Sequence, residues 1–580
     1  MTTINAGVAM LRVLEDWGID HIYGIPGGSF NSTMDALFAE SSRLRYIQVR
    51  HEEVGALAAV ADAKLTGQVG VVFGSAGPGA THLIQGLYDA AMDHAPLVAL
   101  LGQVAHTAMN TYAFQELNEN PIFADVAVYN RTVMSPEQLP VVVDHAIKEA
   151  YQHRGVAVVT IPVDLGMGDI EDSFRSSAST RRDGLMLPAD DDIAAALDLL
   201  AAAQRPYLYI GQGLRGQRAT VEEFAKHFAL PVGASSLAKG IVPDHFRHFM
   251  GMAGRVGMKP GVEVLAASDL IIFAGSDFPF GQAFFPRSAK FIHINTDQAT
   301  FGRRHPVDVA ILGDAGVALE EMRQRGASRA PDVWLAAAQA NKDEWEAWCH
   351  SFDRAEPEQG LLRPEPVFAA INAIATDDAI FVTDVGNVTV NSVRHLACHD
   401  RQQFMTSGLF ATMGNAWPGG IGAQLSFPQR QVFTLAGDGG AAMMLPALVT
   451  QVQYRLPIIN VVFTNRALGF IEAEQEDTRQ TKFGVYLDDI DFAATARALG
   501  AEGWSVRNLA DLEAAFTAAA HLGERPIVID VKQIDARPLP VEQLKLDPEK
   551  YSSTEITAFR QRYQADGLTA FRQILERAGA

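Results

Sequence analysis

Apolar residues in this chain fall into two arrangements. Short, nearly continuous aliphatic runs appear first, at Val69-Gly-Val-Val-Phe73, Leu97-Val-Ala-Leu-Leu101 and Val156-Ala-Val-Val-Thr-Ile161. They lack the polar alternation of a strand with one wet face. They therefore predict strands covered on both sides, as in a parallel sheet sandwiched by helices. Between such runs the apolar spacing is helical, as at Leu11, Leu14 and Trp17. His21-Ile-Tyr-Gly24 predicts a strand that runs into Pro26-Gly-Gly-Ser29. The alternation returns with a strand at 206–210, a Gly211-Gln-Gly213 turn, a helix through Glu222 to Phe228, and strands at 270–274 and 290–294. It returns a third time with strands at 379–383, 431–435, 458–463 and 527–530. Three series of βα units predict an α/β protein of three doubly wound parallel-sheet domains.

Polar stretches at Ser173 to Asp183 and Gln324 to Pro331 read as linkers. The expected division is 1–183, 184–340 and 341–540, with a tail at 541–580. The tail differs in make-up: Pro538 and Pro540 follow Arg537, and helical spacing then links Leu568, Phe571 and Leu575. That spacing suits a lid over an active site, and equally an amphipathic membrane contact. A length of 580 residues also calls for several cores.

Charge and cysteine content narrow the function. The net charge of −21 excludes the basic footprint of a nucleic-acid binder. Small anionic substrates then need a local cluster of donors. Two cysteines, Cys349 and Cys398, exclude a disulfide framework and suit reduced thiols in a cytoplasmic protein. The first ten residues lack the pattern of a signal peptide, and runs such as 95–101 are too short to span a bilayer.

The sharpest local signal is Gly437-Asp-Gly-Gly440, directly after one expected strand, with helical spacing from Ala441 to Tyr454. The next expected strand ends at Thr464-Asn465. Asp438 and Asn465 thus sit at the C-terminal ends of successive strands, which converge on the ligand crevice of an open parallel sheet. One charged and one neutral oxygen beside a helix N-terminus suit Mg²⁺ bridging a diphosphate, and Gly439 and Gly440 let backbone approach the phosphates. Alone, Gly-Asp-Gly is a common turn. With Asn465 one unit later it resembles the signature of thiamine-diphosphate enzymes.

Arg50-His-Glu-Glu-Val-Gly-Ala56 opens a helical stretch, where acidic residues offset the helix dipole. In the thiamine-diphosphate family a glutamate in this setting contacts the coenzyme's pyrimidine ring, and the resemblance gives Glu52 that catalytic role, with His51 structural. Such a carboxyl needs a dry site to strengthen its hydrogen bond.

Segments 23–29, 73–79, 114–116, 384–386, 409–414 and 470–477 extend the match along nearly the whole chain. They resemble the phosphate-dependent, acetyl-phosphate-forming pyruvate oxidases of that family. The resemblance implies a pyrimidine-binding first domain, an FAD-binding middle domain and a diphosphate- and Mg²⁺-binding third domain. It implies thiamine diphosphate, Mg²⁺ and FAD as cofactors, pyruvate, phosphate and O₂ as substrates, and a cytoplasmic homo-oligomer, a tetramer in close relatives, whose active site joins two subunits. It places Gly28 and Ser29 near pyruvate, and Val385 and Phe470 along the substrate side. Phe114, Gln115 and Glu474 face the reacting carbonyl and then phosphate. Met413, beside Thr412, bends the coenzyme, and Leu468 and Gly469 complete its pocket. The third metal contact is the Ala467 carbonyl. For FAD it implies Gly211 and Gly213, Gly254, Arg255 and Val256, Gly275, Ser276, Asp277 and Phe278, and Asp314. Lys239 reads as an exposed lysine. Asn295 stands where an acidic residue usually holds the FAD ribose, and Leu468 and Trp417 depart from the common pocket. Three other readings remain: an acetolactate synthase-like carboligase, a quinone-reducing oxidase docked on membranes by its tail, and a non-catalytic cofactor-binding relative.

Overall fold

The computed structural model of the chain describes residues 2–41, 43–182, 184–399, 401–535 and 552–579. Asp183, Arg537, Pro538, Pro540 and the expected boundary at 540/541 lie outside the described residues.

Three six-stranded sheets make up the core. The first runs in the order Arg45–Gln48, His21–Gly24, Gly70–Gly74, Leu97–Gln103, Val156–Pro162, Ala127–Thr132. The second runs Phe249–Met252, Val232–Ala234, Pro206–Ile210, Leu270–Ala274, Lys290–Asn295, Val309–Leu312. The third runs Gln403–Thr406, Ile380–Thr383, Val432–Gly437, Ile458–Thr464, Ile527–Lys532, Glu502–Val506. Every pairing within these sheets is parallel. A separate antiparallel pair joins Thr3–Asn5 to Asp169–Glu171. The aliphatic runs of the sequence are the central strands, buried along their length between helices.

In each sheet the chain steps outward in one direction from an inner strand, then returns to that strand's other side. The reversals fall between His21–Gly24 and Gly70–Gly74, between Pro206–Ile210 and Leu270–Ala274, and between Ile380–Thr383 and Val432–Gly437. Loops at the carboxyl ends of such strand pairs splay apart and leave a crevice, the preferred ligand site of open α/β sheets. The expected glycine-rich segments occupy these positions: 25–29 and 75–79, 211–213 and 275–278, and 384–386 and 437–440.

Two differences from the sequence expectation have local causes. The helix expected from Ala441 to Tyr454 is two helices, Asp438–Met443 and Leu445–Gln453, because Pro446 is accommodated only in a helix's first turn. The expected boundary at 340/341 falls inside one helix, Val333–His350, which packs on the middle sheet's Lys259–Ala267 helix.

The first and third sheets share an apolar core built around helix Glu52–Thr66 and helix Ala416–Ser426, which meet through small residues. A Cβ on Gly422 would overlap the Ala58 carbonyl. Trp417 is buried in this core. The apolar face of the tail is also spent internally. Leu568, Phe571 and Leu575 are buried, and the Phe571 ring packs edge-on to Trp334 with centroids 5.5 Å apart. Among the described residues, no helix is long and apolar enough to cross a membrane.

Candidate active site

The third sheet places the expected oxygen ligands at its point of reversal. Asp438 is the first residue of helix Asp438–Met443 and only 5% exposed. Its Oδ1 accepts from the Gly439 N–H at 2.9 Å and its Oδ2 from the Arg466 N–H at 2.7 Å, while burial pushes the carboxyl up to about 6. Asn465 leaves the neighbouring strand. Its Nδ2 donates to Asp535 at 2.9 Å and its Oδ1 accepts from the Ala467 N–H at 3.3 Å. The two expected ligands are thus coupled through the short turn 465–467, whose Arg466 takes a left-handed φ of 59°.

Two adjacent glycines have different reasons. A Cβ on Gly439 would lie 3.0 Å from Leu468 and 3.4 Å from Met413, so these three expected coenzyme contacts line one hollow. A Cβ on Gly440 would overlap the Asp384 carboxylate. Gly440 is therefore required by protein packing as well as by any bound phosphate. Asp384 is fully buried beside Val385. Its Oδ1 accepts from the Val385 and Gly414 N–H groups at 2.7 Å each, its Oδ2 has no hydrogen-bond partner among the described residues, and burial pushes it up to about 7. Asp384 lies in the segment 384–386 that carries the family resemblance, but no role was expected for its carboxylate. Thr412 is held by its N–H on Ser407 Oγ at 2.8 Å, and its own hydroxyl is buried without a partner among the described residues. Gly469 lies against Asn387 and Asn465. A carboxylate, an amide oxygen, unpartnered buried oxygens and a helix start free of side-chain bulk fit a hard cation with a diphosphate.

On the first sheet, Glu52 opens helix Glu52–Thr66, with His51 as N-cap accepting from the Glu53 N–H at 3.3 Å. His82 Nδ1 is 2.9 Å from Glu52 Oε2, and the His82 ring stacks on His51 with centroids 4.5 Å apart. His82 was not anticipated. Ser29 Oγ lies 2.7 Å from Ser75 Oγ and accepts from the Ala76 N–H at 2.6 Å, and the adjacent Gly28 is open on its Cβ side. Phe114 is 87% exposed, and Gln115 holds a φ of 64° against Gly77. Neither Glu52 nor Ser29 makes a hydrogen bond to the third sheet among the described residues.

The middle sheet brings Gly211, Gly213 and Gly275 into direct backbone contact. Gly275 has a φ of 63°, and its Cβ would stand 3.0 Å from Gly213 Cα. The buried Ser276 backs Gly211, and Phe278 lies over Gly254. Asn295 donates to the Ser276 carbonyl at 3.2 Å. Arg255 forms an ion pair with Glu474, and its guanidinium carbon lies 4.9 Å from the Phe470 ring centroid. Val256 packs on the core at the same turn. Two expected flavin carboxylates are committed elsewhere: Asp277 is bridged to Arg303 at 2.7 Å and Arg304 at 2.9 Å, and Asp314 caps helix Ala315–Arg325 through the Val317 N–H at 3.0 Å. Lys239, expected at the surface, is fully buried and paired with Asp244 at 3.1 Å. Asp244 also accepts from the Cys398 N–H at 2.6 Å, so the pair pins the middle sheet's loop to the third.

Known proteins fit this arrangement. Residues 4–122 match the N-terminal TPP binding domain of thiamine pyrophosphate enzymes, 193–322 their central domain, and 384–531 their C-terminal TPP binding domain. The chain belongs to the thiamine pyrophosphate enzyme family. It is 47% identical over 535 residues to the pyruvate oxidase of Lactiplantibacillus plantarum, covering 91% of this chain and 88% of that protein. A putative thiamine pyrophosphate-containing protein of Bacillus subtilis is 38% identical, with 91% of each chain covered. The acetolactate synthase large subunit of Parasynechococcus marenigrum is 34% identical, covering 91% and 87%.

Proposed function

We propose that this chain is a pyruvate oxidase using thiamine diphosphate, Mg²⁺ and FAD. Pyruvate, phosphate, O₂ and a proton give acetyl phosphate, CO₂ and H₂O₂. Its relation to the Lactiplantibacillus enzyme supports the substrate. One contact carries the redox half: Arg255, on the flavin-side loop of the middle sheet, is bonded to Glu474 and lies over Phe470, both on the coenzyme-side helix Gly469–Asp477. In this reading, that contact would join the flavin side of the site to the coenzyme side.

When bound, the coenzyme supplies a sink for the electron pair left by CO₂, and the flavin accepts two electrons. The protein's own groups bind and orient. Asp438, Asn465 and the Ala467 carbonyl hold the cation, with Gly439 and Gly440 beside the diphosphate. Met413, Thr412, Leu468 and Gly469 shape the coenzyme's hollow. Glu52 holds a proton toward the pyrimidine nitrogen. Val385 and Phe470 exclude water from the substrate, Gly28 and Ser29 border it, and Phe114, Gln115 and Glu474 face its carbonyl and the incoming phosphate. For FAD, Gly211, Gly213, Gly254, Gly275 and Ser276 allow close backbone approach, with Arg255, Val256, Phe278 and Asn295 around them. Asp277 and Asp314 act through the loops they brace.

Among the described residues Glu52 bonds only within its own sheet's loops, so this reading joins it to a second copy's Asp438 in a cytoplasmic homo-oligomer, a tetramer. Exposed Tyr112 and Phe114 lie on the loop that such a copy covers. The division into 1–183, 184–340, 341–540 and a tail follows the same scheme, the second boundary moving off helix Val333–His350.

The test is direct. Purified protein is expected to be yellow, to consume O₂ and form H₂O₂ with pyruvate, and to yield acetyl phosphate when phosphate is present. Acetolactate formed without O₂ uptake would replace this reading with the carboligase one.

A further inference from the structure

A largely buried ammonium lies where all three sheets meet. Lys64, near the end of helix Glu52–Thr66, donates to Asp89 at 2.8 Å, to Asp93 at 2.7 Å and to the Thr406 carbonyl at 3.3 Å. Its three N–H bonds are thereby used. The two carboxylates pass the restraint onward. Asp93 accepts from the Gly408 and Leu409 N–H groups, at 2.8 Å each. Asp89 accepts from Ser407 Oγ at 2.5 Å, and Ser407 Oγ accepts from the Thr412 N–H at 2.8 Å. Tyr88, beside Asp89, stacks on Phe410 with ring centroids 5.6 Å apart. The Asp93 carbonyl takes the Gln212 amide at 3.1 Å, inside the Gly211-Gln-Gly213 turn.

We propose that Lys64, Asp89, Asp93 and Ser407 form a positioning latch that sets the loop Thr406–Met413, and with it the coenzyme-side Thr412 and Met413. The inference rests on the proposed function for what the loop holds, and on the observed hydrogen bonds for how it is held. Loop 407–412 has no strand or helix of its own to fix it; its backbone N–H groups at 408, 409 and 412 end on the latch. Two carboxylates thus share one ammonium in a site where both are buried. That is tolerable only while each oxygen keeps its donors. The loop's N–H groups are some of those donors, so the loop and the charge cluster stabilise each other. Moving the loop outward strands Asp93, and removing Lys64 strands both carboxylates.

Lys64→Met tests this severely but is expected to misfold. Ser407→Ala is the working variant, because it cuts the bridge from Asp89 to Thr412 and leaves the ion pairs intact. Ser407→Thr keeps the hydroxyl. Hydrogen–deuterium exchange on the purified FAD-containing protein reads the loop itself, and thiamine diphosphate titrated with Mg²⁺ reads its effect. In Ser407→Ala, faster exchange across 406–413, with coenzyme binding weakened by about tenfold at unchanged FAD content, and recovery of both in Ser407→Thr, is the expected result. Unchanged exchange overturns the latch. Faster exchange with unchanged coenzyme affinity overturns its link to the coenzyme. Failure of the parent protein to bind thiamine diphosphate overturns the proposed function, while the exchange comparison still decides the latch.

Discussion

Arg255 and Phe470 come from different sheets, and the guanidinium carbon of one lies 4.9 Å from the ring centre of the other. A planar cation over an aromatic face, tied at its other edge to Glu474, is a fixed charge at the border between two expected cofactors. Arg255→Met is expected to slow flavin bleaching by pyruvate by about tenfold, allowing for a contact about a third exposed in the isolated chain. Anaerobic stopped-flow absorbance reads this, and coenzyme affinity is the control that stays near the parent value.

Glu52→Gln removes the carboxyl proposed to meet the coenzyme's pyrimidine while keeping a side chain of the same size at a helix start. Turnover is expected to fall by at least about a hundredfold. Exchange of the bound coenzyme's C2 proton, followed by NMR, is expected to slow in step. The His82 contact at 2.9 Å survives in the amide variant, so Tm is expected to change little.

Gly440→Ala and Gly437→Ala separate packing from ligand contact before any coenzyme is added. A Cβ at Gly440 overlaps the buried Asp384 carboxylate, whereas at Gly437 it meets nothing within 4 Å. Coenzyme-free Gly440→Ala is expected to lose about 1–3 kcal/mol through overpacking. Gly437→Ala, in extended backbone, is expected to match or exceed the parent by up to about 1 kcal/mol. Chemical denaturation of the apo forms measures both.

Burial pushes Asp438 up to about 6, and a cation ligand must be ionised. Protons and the metal therefore compete for this carboxylate. Affinity for Mg²⁺ with thiamine diphosphate is expected to fall as pH drops through about 6 and to level off above it. Calorimetric titrations from pH 5 to 8 test the sign. Chelation by EDTA is expected to release the coenzyme at every pH in that range.

The central strands were legible because burial on both faces writes itself as an unbroken aliphatic run, as in Leu97–Gln103 and Ile458–Thr464. The edge strands Arg45–Gln48, Ala127–Thr132 and Glu502–Val506 escaped, because a strand with a wet side mixes polar residues into too short a pattern. The placement of Asp438 and Asn465 at strand ends was legible because both follow such runs. Lys239 misled because a lysine's default place is the surface, and only Asp244, brought against it in the fold, makes burial tolerable. The Lys64 latch was invisible for the same reason: its carboxylates lie on and just after a different helix, Ile84–Met92, and its loop some 340 residues away. Asp314 and Asp277 were expected at the flavin only through the family resemblance, and local N–H and guanidinium donors hold their carboxylates.

Helix Glu52–Thr66 carries Glu52 on its first turn and Lys64 on its last. Its pitch works as a gauge between those ends. One residue inserted between them turns everything downstream by about 100° and advances it about 1.5 Å. Lys64 would then point away from Asp89 and Asp93 while Glu52 kept its place. Side chains along the middle of this helix can be exchanged for others of similar bulk, but its residue count cannot change.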